Sequence, residues 1–600
     1  MNTHSFHIPV MGLGYTIDTP LKVARFGISS VVSIIEDHLI EQMREIHCAR
    51  ENEAYVPIPE KENDSRARRI TAYLDLLDRI VKKQISKMKT ESFDEESDLV
   101  KYFELLEDSS PVKKLYKTMR NEKSVQAQLL MQRFLRENIS AGSIDVNIMT
   151  KCDKTKYDEN GNALPAEFSD AMAAFRGFAK CTLSSSIVFS AGLNPRLYSY
   201  CESFPDFFPD ENEFTRKKII LKVSDYRSAY IQGKFFAKKG LWISEFRIES
   251  GLNCGGHAFA TDGNLLGPVL NDFFSRKAEL TNELASICKK ALIEKGYPES
   301  ILLPRLRITV QGGIGTPNEN KFLIEHYNVD STGWGSPFLL VPEVTNVDQD
   351  TLNALANAKK EDYYLSSASP LGIPFNNFRK SSSETQRKKR IEKGRPGSPC
   401  YKKFLAFNTE FTEKPICTAS RQYQDLKIKQ LDKKNLPAKE YENGLREITD
   451  KDCLCEGLGA AAIIKNEAAD KLKLSAVAIC PGPNLAYFSG IFSLREMVDH
   501  IYGRVDLRNN VSRPHMFINE LQMNVDYLEK ENKNKQPDAS GKYERKLVEF
   551  KNNLLNGIEY YKSLLPEMKQ ETESFRLQMN AMFDTIKMGL ERICIGSVTI

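Results

Sequence analysis

Eight strand-like segments alternate with helical patterns over the first 345 residues, and this alternation constrains the fold more than any other feature. The segments lie at or near Ile8, Val31, Ile144, Ser186, Lys218, Glu245, Arg307 and Val329. The residues between them often have helical spacing, as in Ser228–Lys239 and Leu270–Lys295. Strands that alternate with helices form parallel sheets with right-handed crossovers. Eight such strands favour an α/β fold of the (β/α)8 TIM-barrel type, although periodicity alone does not separate a barrel from an open sheet.

The predicted barrel is interrupted once. Its strands fall in residues 1–37 and 141–345, whereas residues 38–140 are charged and helical. Apolar positions recur with helical spacing in Ile70–Ile85 and Val125–Leu135. We therefore expect residues 38–140 to form a helical insertion.

A long, mainly helical extension follows the barrel. We expect a basic linker over residues 346–399, a Cys-containing module over 400–490 and a helical tail over 491–600. The tail has amphipathic spacing in Tyr543–Leu555 and Phe575–Ile593, which predicts two helices there.

Composition excludes several classes of protein. With 84 Lys+Arg against 80 Asp+Glu, the formal charge of the 600-residue chain is only +4, so a surface that binds polyanions everywhere is excluded. No apolar stretch approaches the ~18 residues of a membrane span. The beginning of the chain lacks the pattern of a secretory signal peptide, and the twelve cysteines are too sparse for a disulfide scaffold. We expect a cytoplasmic protein with reduced thiols and no membrane association.

Two glycine-rich turns follow the last two predicted strands. Gly312 and Gly313 come directly after the strand at Arg307, and Gly335 and Ser336 follow the strand at Val329. Turns at these places in a barrel expose backbone N–H groups, and the missing Cβ lets a phosphate approach. The pair predicts a phosphate site; the alternative is that the glycines only turn each strand into the next helix.

A histidine and a cysteine lie in another glycine-rich loop, after the strand at Glu245. His257, in Cys254-Gly-Gly-His257, is placed where barrel enzymes do their chemistry, and a neutral imidazole can accept a proton. It is the candidate base, or else a histidine that only hydrogen-bonds its loop. Cys254 can face the same pocket as a thiol of lowered pKa, acting as an acid or nucleophile, or be a small buried filler.

These blocks together resemble the FMN-dependent nitronate monooxygenases, formerly called 2-nitropropane dioxygenases, which are similar to FMN-dependent enoyl-carrier-protein reductases. The resemblance covers roughly residues 8–37 and 144–345, with Ser336 where the family usually has Thr. It implies an FMN barrel, with His257 in substrate proton transfer. The residues that it implies for FMN binding are Met11, Gly12, Asn147, Gly255, Gly256, Gly312, Gly313, Gly335 and Ser336.

Five cysteines of the extension form a second candidate site. They are Cys400, Cys417, Cys453, Cys455 and Cys480. Four thiolates can hold Zn²⁺ or an iron–sulfur cluster, and a cluster beside a flavin would be an electron conduit. The spacing matches no compact ferredoxin or zinc-ribbon pattern, so scattered buried thiols and a redox-active pair remain open alternatives.

A basic segment precedes these cysteines. Arg379–Lys403 contains ten Lys or Arg and two Glu, a net charge of +8 in 25 residues. We expect an exposed loop or linker; the alternative is a grip on the phosphates of RNA or of a carrier-bound substrate.

The sequence thus predicts an FMN-dependent oxidoreductase, nitronate monooxygenase-like or enoyl reductase-like, with a small-molecule or carrier-bound substrate. Since no separate Rossmann fingerprint is visible, NAD(P)H would bind transiently over the flavin, or oxygen would reoxidise it. The alternatives are an RNA-modifying or RNA-binding flavoprotein and a non-catalytic flavin-barrel scaffold.

Overall fold

The computed structural model describes residues 3–158, 160–467, 476–534 and 541–595, and in them eight parallel strands close into a barrel. The strands pair in sequence order, and β1 pairs with β8 to close the ring. Their bounds are β1 Phe6–Ile8, β2 Ser29–Ser33, β3 Ile144–Ile148, β4 Ser185–Phe189, β5 Lys217–Val223, β6 Ile243–Glu249, β7 Arg307–Gln311 and β8 Ser331–Gly333. The predicted (β/α)8 barrel is confirmed, and β9 Tyr363–Ser366 and β10 Phe375–Phe378 form a separate antiparallel hairpin.

Helices fill the barrel crossovers and much of the rest of the described chain. Up to residue 345 they are α1 Thr19–Val23, α2 Asp37–Glu51, α3 Ser65–Met88, α4 Asp98–Leu105, α5 Pro111–Asn121, α6 Val125–Glu137, α7 Asp170–Lys180, α8 Pro195–Tyr200, α9 Tyr226–Ala237, α10 Leu266–Glu294 and α11 Pro317–Tyr327. Beyond it they are α12 Gln349–Ala356, α13 Ser382–Glu392, α14 Arg421–Asp432, α15 Ala438–Thr449, α16 Leu454–Lys465, α17 Leu494–Ile501, α18 Met516–Lys533, α19 Lys542–Leu564 and α20 Glu573–Glu591.

The barrel interior combines a small apolar cluster with buried charged side chains. Val31, Val188 and Ile220 pack together inside the ring. Nearby, the Arg247 guanidinium lies 2.7 Å from the Glu245 carboxylate, and both side chains are buried. Buried charges need such partners, since an unpaired charge in a low-dielectric core is costly. The interior is therefore packed, and the ends of the strands remain as the place for a site.

The segment 38–140 is helical as predicted, with Ile70–Ile85 inside α3 and Val125–Leu135 inside α6. Helix α3 packs against α7, so it also covers the outside of the barrel. Gly177 on α7 makes this close approach possible, because an added Cβ would lie 2.8 Å from the carbonyl of Ala67.

The segment 346–399 differs from the expected exposed loop. It contains α12, the β9–β10 hairpin and α13. Helix α13 carries much of the positive charge, and it buries Ser383 and Glu384 while Lys388 and Lys389 face solvent. Arg387 is turned inward, with its guanidinium 2.9 Å from Glu384 and donating to the carbonyl of Thr449. Part of the charge run therefore lies on a helix, where Arg387 is paired inside the protein while Lys388 and Lys389 face solvent.

The tail returns to the barrel. Its predicted helices are confirmed by α19 and α20, and α18 and α19 both pack against α10. The carboxylate of Glu520 on α18 is buried and accepts hydrogen bonds from Leu266 N, Ser250 Oγ and Tyr561 Oη. Over the described ranges, no helix is both long and apolar enough to cross a membrane.

Candidate functional site

Polar side chains gather where the strands end at the carboxyl edge of the barrel. The Lys222 ammonium of β5 lies 2.9 Å from Glu249 Oε1 of β6, and Gln311 Nε2 of β7 donates to the same oxygen at 2.6 Å. Asn147 is at the matching end of β3 and is buried. Sequence reasoning missed Lys222, Glu249 and Gln311, although each is the last inward-facing residue of its strand and period-two counting can find such positions.

The two predicted phosphate turns lie at this same edge. Gly312 and Gly313 have φ of +109° and +79°, a left-handed region that favours glycine. A Cβ on Gly313 would lie 2.7 Å from Asn253 Nδ2, so the turn is tight as well as left-handed. Within the described chain, the N–H groups of Gly312, Gly313 and Gly335 donate to no acceptor. Three free donors at adjoining turns suit an anionic ligand.

Three buried polar atoms around these turns have no hydrogen-bond partner among the described residues. They are Asn147 Oδ1, Asn253 Nδ2 and Gln311 Oε1. Buried polar groups are usually paired, because an unmade hydrogen bond costs about 1–3 kcal/mol. The two amide oxygens are acceptors and the Asn253 nitrogen is a donor, so a ligand with both donors and acceptors would match them. The side chains present therefore fit the ring and phosphate of a bound FMN.

Met11 lies close to Gly335, whose N–H is one of the free donors. A Cβ on Gly335 would lie 3.2 Å from Pro9 and 3.7 Å from Met11 Sδ, so the β1 loop contacts the β8 turn. Gly12 has φ of +53°. The resemblance implied that Met11 and Gly12 lie beneath a flavin. The structure places Met11 against Gly335, and the role of these residues in binding stays a prediction.

The extension reaches into the mouth of the barrel through Cys480–Gly482. The Cys480 carbonyl accepts from Gly256 N at 3.1 Å, and Gly482 N donates to Ser336 Oγ at 2.7 Å. A Cβ on Gly255 would lie 2.5 Å from that carbonyl. Gly255 and Gly256 thus contact the segment Cys480–Gly482, which we call the strap. The Ser336 hydroxyl accepts the bond from Gly482 and can still donate its own proton.

His257 is fixed by the hairpin region. Its Nε2 lies 2.7 Å from Ser369 Oγ, and Phe375 of β10 packs edge-on at 5.4 Å between ring centroids. Burial lowers the pKa of His257 to about 4, and the charge of Lys151 adds to the shift. The imidazole is therefore neutral at physiological pH, and its Nδ1 has no partner among the described side chains. Sequence reasoning could not find Ser369, which is 112 residues away.

Cys254 does not have the expected lowered pKa. Burial raises the pKa of its thiol, and the negative charge of Glu249 raises it further. The sulfur lies against Gly312 and faces the carbonyl of Gln311 at 3.8 Å. It is a neutral thiol under the phosphate turn rather than a nucleophile beside His257.

The β7 turn at Gly312 and Gly313 is held from behind by the extension. Arg513 donates to the Gly313 carbonyl at 2.7 Å and to Glu319 at 2.6 Å, and its guanidinium is buried. Asn484 Nδ2 donates to the Ile314 carbonyl at 2.8 Å. The turn that offers free N–H groups to the mouth therefore has its carbonyls satisfied from behind.

The five cysteines of the extension do not form one site. Cys480 lies in the segment at the barrel mouth, whereas Cys400 packs against a separate small cluster of Ala406, Cys417 and Ala419. All five are described and free. Across the described ranges, no three His, Cys, Asp or Glu side chains lie in an arrangement that could hold a metal ion. The proposed zinc or iron–sulfur centre therefore gains no support from the geometry.

Comparisons with known proteins identify no family for this chain. No family model matches the chain, and no curated protein matches it. One solved structure that resembles it is the enoyl reductase domain of MlnA from the macrolactin biosynthesis cluster from Bacillus amyloliquefaciens. The identity is 13%, with 76% of this chain and 89% of that chain covered, at a TM-score of 0.33. The barrel assignment rests on the strand pairing instead.

Proposed function

We propose that the protein is an FMN-dependent oxidoreductase that acts on a small-molecule or carrier-bound substrate, with chemistry like that of nitronate monooxygenases or enoyl reductases. The observation that carries the proposal is the carboxyl edge of the barrel, where backbone N–H groups without an acceptor and unpaired buried polar atoms lie at the ends of several strands. A ligand with an anionic group and several ring donors and acceptors satisfies all of them.

The phosphate would be held by the N–H groups of Gly312, Gly313 and Gly335 and by the Ser336 hydroxyl. Asn147 and Gln311 would bond the polar edge of the ring, with the Lys222 charge beside them. When bound, FMN supplies two-electron chemistry with the substrate. The chain's part is to orient ring and substrate and to exclude water, which the Cys480–Gly482 strap supports.

His257 would transfer the substrate proton. Since its Nε2 is tied to Ser369, its Nδ1 is the atom that can accept a proton from carbon or return one. A neutral imidazole can accept a proton at once, and the low pKa favours its prompt release. Ser369 is a positioning residue, because it touches the imidazole and not the substrate.

We propose two alternatives for the molecule that exchanges electrons with the flavin besides the substrate. NAD(P)H would bind transiently above the ring, or oxygen would reoxidise it. A cytoplasmic location suits either partner and stays a prediction. RNA as a substrate is less favoured, because Arg387 and Arg390 bond to Thr449 and Ser398 inside the protein.

The test is the absorption spectrum of anaerobically purified protein, followed by identification of any released cofactor. We expect flavin bands near ~370 and ~450 nm and released FMN. Apoprotein should regain the bands when FMN is added. A colourless chain that binds no FMN would exclude the flavin proposal and leave the scaffold interpretation.

A further inference from the structure

A cavity of about 430 Å³ lies behind the β7 turn, outside the proposed flavin site. Its walls come from the start of α11, from residues 503–515 before α18, and from the connection between α19 and α20. Arg513 lines the cavity and donates to the Gly313 carbonyl at 2.7 Å, so one side chain joins the cavity wall to the turn. The volume is within the range of about 300–1,000 Å³ that is usual for small-molecule sites.

A buried histidine offers a free hydrogen-bond donor to this cavity. His515 is 2% exposed, lines the cavity and caps α18, where its Nδ1 accepts from Phe517 N at 3.3 Å. Because Nδ1 accepts, the proton of the neutral imidazole is on Nε2. Burial lowers the pKa of His515 to about 4, so the ring is neutral at physiological pH. Among the described residues Nε2 has no partner, and it is not one of the fully enclosed atoms, so it opens onto the cavity.

Two further donors line the same cavity. Asn318 is the second residue of α11, where a backbone N–H has no partner inside the helix, and no described acceptor bonds it. The Arg508 guanidinium binds Asp506 through Nε and Nη2, and its Nη1 has no hydrogen-bond partner in the described chain. Guanidinium groups and N–H groups at helix starts both bind carboxylates well. Together with His515, these donors suit the carboxylate of a ligand.

One carboxylate in the cavity has no cationic partner. Glu571 is half-buried and accepts from Asn318 Nδ2 at 3.2 Å, but it forms no ion pair within the described ranges. Burial raises the pKa of its carboxyl, and the charges of Arg508 and Arg513 oppose the shift without forming an ion pair. A partly buried charge is favourable only when it is paired. An ammonium group on the ligand would pair with Glu571.

The remaining lining includes apolar surface. Pro317 and Phe575 are half-buried, and Val505 is 42% exposed. A hydrocarbon side chain of a ligand can lie against these residues and leave water. The exposure of Val505 also leaves a path by which a solute can enter.

We propose that this cavity binds a zwitterionic amino acid with an apolar side chain. Its carboxylate accepts from the Arg508 guanidinium, the Asn318 N–H and His515 Nε2, and its ammonium group donates to the Glu571 carboxylate. The binding is non-covalent. It needs neither FMN nor the proposed oxidoreductase activity, so it can fail or succeed independently of them.

The test is isothermal titration calorimetry of the full-length protein with three probes that share a phenyl group. L-Phenylalanine carries both charges, 3-phenylpropanoate lacks the ammonium group and 2-phenylethylamine lacks the carboxylate. We expect L-phenylalanine to bind at least about tenfold more tightly than either analogue, because each analogue loses hydrogen bonds to a charged group. Equal affinities for the three probes, or no binding of L-phenylalanine at millimolar concentrations, would overturn the proposal.

Glu571→Gln removes the charge and keeps an oxygen that accepts from Asn318. This variant should bind L-phenylalanine about tenfold more weakly and 3-phenylpropanoate as before. Glu567→Gln, at an exposed position in the same connection, is the matched control and should change neither affinity. Unchanged affinity of Glu571→Gln for L-phenylalanine would also overturn the proposal. Since the three probes are compared on the unmodified protein, a variant that fails to fold does not obscure the result. The absorption spectrum of the same sample reports flavin separately.

Discussion

At the residue scale, the proposed site depends on glycines that no other residue can replace without strain. Gly313 combines φ of +79° with a Cβ position 2.7 Å from Asn253 Nδ2. Gly296, after α10, has φ of +92° and nothing within 4 Å of its Cβ position. A side chain at either position therefore incurs the same backbone penalty of about 1–3 kcal/mol. Only a side chain at position 313 would also clash with a neighbouring residue.

We expect Gly313→Ala to weaken FMN binding by about tenfold or more, which corresponds to about 1.4 kcal/mol. The added methyl group would displace Asn253 and disturb the free N–H groups of the turn. Fluorescence titration of apoprotein with FMN measures the affinity. Gly296→Ala should keep the original affinity while losing similar stability, and equal affinities for both variants would remove the phosphate turn from the proposal.

His257 offers the sharpest test of the chemistry. Its folded pKa of about 4 lies below the ordinary 6.5, so the active neutral form persists as pH falls through 6.5 and is lost only near 4. We expect His257→Gln to lower kcat/KM by about 10²–10⁴-fold while FMN stays bound. His38→Gln on the surface of α2 should change neither quantity.

Ser369→Ala should move the acid limb of the kcat/KM profile upward. Burial is the largest cause of the lowered pKa, so removal of the hydroxyl that covers Nε2 should expose the ring to water and let the imidazole pKa return toward 6.5. The profile is measured with a nitronate or an enoyl thioester as substrate. A Ser369→Ala enzyme with an unchanged acid limb would show that Ser369 does not position His257. The same lowered pKa makes the folded protein lose stability as the pH falls from 6.5 to 4. In this range the histidine of the unfolded chain, with its ordinary pKa, binds a proton more readily than the folded one.

At the scale of elements, α18 and the segment before it support the β7 turn from behind. Arg513 bonds Glu319 at the start of α11 and the Gly313 carbonyl, with both charged side chains buried. Helix α11 begins with a capping box in which the Thr316 and Glu319 side chains bond each other's backbone N–H. One guanidinium thus joins the tail, a barrel helix and the phosphate turn.

We expect Arg513→Ala to destabilise the protein by about 3–5 kcal/mol, because it leaves a buried carboxylate unpaired. FMN affinity should fall as well, since the turn loses its anchor. Urea denaturation measures the first effect and FMN titration the second. Arg133→Ala is the comparison, since Arg133 pairs with Glu137 on the exposed face of α6 and such pairs contribute about 0–1 kcal/mol. Similar losses in the two variants would contradict the supporting role of Arg513.

At the scale of the whole molecule, the extension and the barrel share one hydrophobic core. The same buried cluster contains Tyr73 of α3, Phe175 of α7, Leu521 of α18 and Tyr561 of α19. The aromatic ring of Tyr561 stacks on Phe517 at 4.5 Å between centroids. Cutting the chain after the barrel would expose these apolar surfaces to water.

We therefore expect residues 1–345 alone to be insoluble or to lack a cooperative unfolding transition. Coexpression of residues 346–600 should restore a soluble complex, because the two pieces bury the common surface again. Size-exclusion chromatography and circular dichroism distinguish these results. A cooperatively folded 1–345 fragment that binds FMN would show that the extension is dispensable for the barrel and its site.

Much of the architecture could be predicted from local patterns. Eight strands, the intervening helices and the tail helices α19 and α20 follow from periodicity, which acts over a few residues. The turns at Gly312 and Gly335 and the loop of His257 were also recognisable, because a glycine run after a strand marks a change of direction. The metal centre stays a prediction, because spacing in the sequence says little about distance and the described residues contain no group of three His, Cys, Asp or Glu side chains arranged to hold a metal ion.

Contacts between residues far apart in the chain were decided only by the tertiary structure. Local sequence determined the strands and the glycine turns, because backbone preferences and hydrophobic periodicity need no distant partner. The cluster of Lys222, Glu249 and Gln311, the bond from Ser369 to His257 and the support from Arg513 required the closed barrel and the returning tail. Their partners lie 27 to 200 residues away, and only packing sets those distances.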